Sequence, residues 1–155
     1  MTDYILPDAK SVQKILAVMY GDELAVDQDD SAALADRHVA TYVGDDKDIV
    51  ALCACEDRFV AYAGAALTMV PANVADEMVQ QKDLSDIILE NFHEVMNICS
   101  RLLINDTSPH LRLDKTLAPG ESEAAMSAVT EQSRVTNFKV AIPEYGDGHI
   151  SFLII

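Results

Sequence analysis

With 155 residues, half of them hydrophobic and 24% charged, the chain is long enough to build a core without disulfide or metal staples and too apolar to stay disordered. Its 26 acidic residues against 11 basic ones give a net charge of −15. That balance argues against nucleic acid and anionic membrane surfaces, which are met by Lys and Arg. It suits a solvated acidic surface or a basic patch on a protein partner.

No apolar run approaches the roughly 20 residues of a membrane helix, and the opening residues lack the basic start of a signal peptide. Cys53, Cys55 and Cys99 are an odd set without framework spacing and read as reduced thiols. The expectation is one cytoplasmic domain spanning residues 1–155.

Val12, Ile15, Leu16 and Met19 recur at helical spacing, so a helix is expected over 8–20, stopped by Gly21. The acidic stretch 22–36 reads as a loop. Three short β-like runs follow at 38–43, 49–55 and 59–63, with turn residues between them, as in an antiparallel meander. Helical pieces are expected at 64–70 and 72–81, then a long helix over 84–104. Residues 110–117 alternate like a half-buried strand, and 121–132 suggest a short helix. Strands at 134–142 and 149–155 are joined through a Pro143–Gly148 hairpin signal. The order implies an α+β fold, helices packed on a mostly antiparallel sheet. The two last strands are apolar and carry no charged gatekeeper, which would suit pairing with another chain.

The long helix is the most informative segment. Leu84, Ile87, Ile88, Val95, Ile98 and Leu102 form one stripe; Asp83, Asp86, Glu90, Glu94, Asn97 and Arg101 form another. Glu94 and Asn97, three residues apart, project from one exposed face. A carboxylate there can pair with a partner's lysine. An amide, both donor and acceptor, can orient a water towards phosphorus, and phosphoryl transfer depends mostly on such positioning. The spacing fits equally a plain solvated face.

Glu94-Val95-Met96-Asn97 resembles the Glu-x-x-Asn signature of the CheC/CheX family of chemotaxis phosphatases. Pro119 stands near the place of the family's proline, and the Ala-rich helix start at Gly64-Ala65-Ala66 precedes the signature helix as in the family. The likeness spans about residues 38–155 and implies a CheC/CheX-like α+β fold. A single signature looks like CheX rather than CheC, which carries two. The resemblance further implies hydrolysis of the aspartyl phosphate of a response-regulator receiver domain. Glu94 would dock the receiver's lysine and Asn97 would orient the water. The receiver would supply its own Mg²⁺, so no cofactor belongs to this chain. A homodimer is implied too.

The sequence departs from the family pattern in three places. Glu90 stands where the family has Asp or Ser, Pro119 comes about one residue early, and Ile98-Cys99-Ser100-Arg101 replaces a Gly-containing turn. These keep a second reading open: a non-catalytic interaction module of the same fold, akin to the related flagellar-switch domains. Glu90-x-x-His93 is one di-iron-type motif where a bundle needs two. Cys53-Ala54-Cys55 puts two thiols on one strand face without completing a zinc set. No P-loop, nucleophile elbow or dinucleotide fingerprint is present.

Overall fold

The structure, a computed structural model, describes residues 4–155. Helix α1 (Ala9–Tyr20) starts where the Asp8 side chain accepts a hydrogen bond from the Ser11 amide at 2.8 Å, and it ends at Gly21, whose φ of +92° suits only glycine. Val12 and Leu16 are its buried contacts.

One six-stranded antiparallel sheet holds the chain together, in the order β1-β5-β6-β3-β2-β4. The strands are β1 (Ala25–Gln28), β2 (His38–Val43), β3 (Ile49–Cys55), β4 (Arg112–Leu117), β5 (Arg134–Ile142) and β6 (Gly146–Ile154). Strand β1 lies inside the acidic stretch expected to be a loop. Its four residues are mostly exposed, and pairing with β5 rather than any hydrophobic period makes it a strand. Strands β2 and β3 form the expected hairpin, with His38 opposite Cys55. The chain turns between β5 and β6 at 143–145, with Glu144 at φ +71°.

The third β-like run is a helix. Residues 59–63 lie within α2 (Asp57–Leu67), and the piece expected at 64–70 is the end of that same helix. Every residue from Phe59 to Ala65 is buried. An apolar run without a period does not distinguish strand from helix. Burial on all sides decides here, because α2 is wedged between β6, α3 (Ala72–Gln81) and α4 (Asp86–Cys99). Two glycines permit that wedge. A Cβ on Gly64 would stand 2.8 Å from the Ile88 carbonyl oxygen of α4, and one on Gly148 of β6 would stand 2.5 Å from the Phe59 nitrogen.

The main core lies between one sheet face and helices α1, α2 and α4. A smaller one lies on the other face, where Ala125 and Met126 from the single-turn α5 (Glu123–Met126), together with Val129, cover Val39, Leu52, Ala54 and Leu153. The helix expected over 121–132 is only that turn. Strands β5 and β6 are both interior, although β1 pairs with β5 only over residues 138–141 and leaves the outer side of Arg134, Val135 and Thr136 without a strand partner. The free edges are β1, short and acidic, and β4, which carries Arg112, Asp114 and Lys115 and is interrupted by a bulge opposite Thr41 and Tyr42.

Candidate functional site: the outward face of helix α4

The α-helical part of α4 runs from Asp86 to Cys99 and tightens into a 3₁₀ turn over Ser100–Leu103, so the expected single helix over 84–104 is two geometries. The change falls at the signature. The Ser100 amide donates to the carbonyls of Asn97 and Ile98, and its hydroxyl donates to the Asn97 carbonyl at 2.7 Å. The Met96 carbonyl is instead satisfied from the sheet: the hydroxyl of Tyr42, fully buried on β2, donates to it at 2.7 Å. A strand tyrosine thus holds the backbone between Glu94 and Asn97. Burial pushes the Tyr42 phenol well above its ordinary value.

The inward face differs from the apolar stripe read in the sequence. Ile88, Phe92, Val95, Met96 and Cys99 are buried, whereas Ile87 is 44% exposed. At 100° per residue, Ile87 falls well outside the arc centred on Ile88, Phe92, Val95 and Cys99. Asn91 is a tether, its amide donating to the Gly64 carbonyl at 2.8 Å and to the Thr68 hydroxyl at 3.1 Å.

Glu94 and Asn97 are both exposed, with Glu90 between them on the same outward arc. Their side chains make no hydrogen bond or ion pair among the described residues. None of the three lines the cavities that hold Leu89 and His38. Standing exposed on one helix arc, these side chains can reach into another molecule's site. Pro119 lies elsewhere, lining a cavity with Leu89, towards the start of α4.

His93 is half-buried and no third ligand gathers on it; among the described residues no group of three or more His, Cys, Asp or Glu could hold a metal ion. Cys53 and Cys55 face the same side, their sulfurs 3.7 Å apart, and with Cys99 they are buried free thiols. Burial pushes the Cys53 and Cys99 thiols well up, which suits core residues rather than nucleophiles.

Two polar constellations had no local sequence signal. His38 Nε2 meets Asp57 Oδ1 at 2.7 Å. His149 is bracketed by Glu56 at 2.7 Å on Nδ1 and Asp29 at 3.1 Å on Nε2. Each joins residues at least 19 positions apart, and only the strand order brings them together. The Asp29 carboxyl is held well below its ordinary value, first by hydrogen bonds from Ser31 and then by His149.

No protein-family model matches the chain, and no curated protein is significantly similar to it in sequence. Solved structures do match. The FliY structure from Thermotoga maritima is similar over 93% of this chain and 82% of its own, at 14% identity and a TM-score of 0.58. The FliM middle domain from H. pylori is similar over 94% and 84%, at 8% identity and a TM-score of 0.51. The chain has the CheC-like fold. CheX from Desulfovibrio desulfuricans also aligns, over 94% of this chain and 95% of its own, at 13% identity and a TM-score of 0.45. No described helix is long and apolar enough to cross a membrane.

Proposed function

We propose that the chain docks on a phosphorylated response-regulator receiver domain through the outward face of α4 and hydrolyses its aspartyl phosphate. The observation that carries this reading is the joint exposure of Glu94 and Asn97, both unbonded, on a helix whose backbone is fixed from behind by Tyr42 and Asn91. On docking, Glu94 pairs with the receiver's lysine. The Asn97 amide oxygen accepts a hydrogen bond from a water and aligns it behind phosphorus. The water oxygen bonds to phosphorus as the bond to the aspartyl oxygen breaks, leaving inorganic phosphate and a free carboxylate. A Mg²⁺ to neutralise the phosphoryl oxygens would come with the receiver, not from this chain. The same resemblance implies a homodimer; its contacts would use β1, β4, the uncovered start of β5, or a sheet or helix face.

A second reading has its own support. The fold is shared with FliY and the FliM middle domain, and Glu90 adds a second carboxylate to the signature face. Under this reading the chain binds a chemotaxis or flagellar-switch partner without hydrolysis.

Phosphate release from a panel of phosphorylated receivers separates the two. The catalytic reading expects release from at least one receiver, lost in Asn97→Ala while binding survives. Binding without release from any receiver would establish the module instead.

A further inference from the structure

Away from the Glu94–Asn97 face, α4 borders a groove that the proposed hydrolysis does not use. Two adjoining cavities of about 420 and 210 Å³ share His38, Leu89 and Ala118 as lining. One wall is α4, presenting Leu89 and Phe92; the other is the end of β4, presenting Thr116 and Leu117. The Phe92 ring stands edge-on to His38, with centroids 6.1 Å apart.

The His38 side chain is only 8% exposed and yet only half satisfied. A carboxylate only accepts, so the bond to Asp57 places the proton on Nε2. Nδ1 makes no hydrogen bond among the described residues. In the neutral ring it is therefore a free acceptor on a residue that lines both cavities. Around it the lining carries four carboxylates, Asp36, Asp57, Asp83 and Glu121, against one ammonium, Lys82. Asp36 and Asp83 are exposed and make no ion pair among the described residues. Apolar walls, an excess of acceptors and a net negative lining match a side chain with an apolar stem and a cationic head rich in donors, which is arginine. Strand β4 is a sheet edge, so an extended segment beside it also finds main-chain partners.

We propose that this groove receives an extended, arginine-bearing segment of a protein partner, its guanidinium meeting Asp36, Asp83 and the His38–Asp57 pair while its stem packs on Leu89 and Phe92. The site is separate from the outward face of α4 and does not depend on its assignment.

The test titrates the ¹⁵N-labelled full chain with acetyl-Leu-Arg-Leu-amide, and in parallel with the same peptide carrying citrulline, which keeps the shape and removes the charge. The expected result is saturable amide shifts concentrated at His38, Leu89 and Thr116, with citrulline at least fivefold weaker. Asp36→Asn combined with Asp83→Asn, both exposed positions, should weaken the arginine peptide at least threefold while leaving the remaining spectrum unchanged. Glu94→Ala should leave the titration as it is. Equal affinity for the citrulline peptide, or shifts that bypass these residues, would overturn the proposal.

Discussion

The two faces of α4 are built on opposite rules. Inward, side chains are buried and polar groups are paired over long sequence separations, Asn91 to the Gly64 carbonyl and Tyr42 to the Met96 carbonyl, while Gly64 packs against the Ile88 backbone. Outward, Glu90, Glu94 and Asn97 are exposed and unpaired among the described residues. The contrast shows how a helix can present free side chains from a fixed axis. A partner then immobilises only two or three rotamers, at about 0.5–1.5 kcal/mol each, rather than ordering a backbone.

The sharpest way to break the comparison is to remove one outward group at a time. Asn97→Ala should lower turnover on a receiver phosphate about a hundredfold, the low end for losing a group that acts in proton or water positioning, with receiver affinity unchanged. A matching loss of affinity would mean that Asn97 docks rather than orients. Glu94→Ala should do the reverse, weakening binding by about tenfold to a hundredfold, since a charge-assisted contact is worth about 1.5–3 kcal/mol. Isothermal titration separates the two.

The inward face is challenged by Gly64→Ala and Tyr42→Phe. A methyl 2.8 Å from the Ile88 oxygen forces α4 away from α2, an overpacking cost of about 1–3 kcal/mol. Tyr42→Phe leaves the Met96 carbonyl unsatisfied at about the same cost. Urea unfolding should register both. Tyr42→Phe should additionally speed hydrogen exchange at Ser100 and Arg101, which a purely global loss of stability would not single out.

Smaller in effect, alkaline pH probes the core beneath. The Tyr20 and Tyr42 phenols and the Cys53 and Cys99 thiols are raised by burial. A raised folded value means that the fold favours the neutral form. The stability these groups contribute is therefore full below the unfolded values, 9.0 for the thiol and 10.0 for the phenol, and declines as pH rises past them. The melting temperature should fall from about pH 9 upward; a curve flat to pH 11 would contradict this burial.

Much of the outward face was legible because its signal is local: Glu94 and Asn97 share an arc by spacing alone, and their exposure follows from the polar stripe. The β2–β3 and β5–β6 hairpins were legible too, through turn residues between apolar runs. Helix α2 was not, because residues 59–65 are buried all round and therefore carry no period. Strand β1 was hidden because its hydrogen bonds come from β5, more than a hundred residues on. That same distance misassigned the sheet edge, since nothing in residues 134–155 tells that β1 and β3 flank them. The His38–Asp57 and His149 clusters are products of strand order and had no sequence signal at all.

A charge-swap cycle tests most directly the proposed docking of Glu94 on a lysine of the receiver. Affinity would be measured for a receiver that the wild type binds, for Glu94→Lys, for a Lys→Glu change at the receiver's active-site lysine, and for the two changes together. The expected result is that each single change weakens binding at least tenfold and that the pair recovers most of the loss. Additive losses, with no recovery in the double change, would contradict the docking of Glu94 on that lysine.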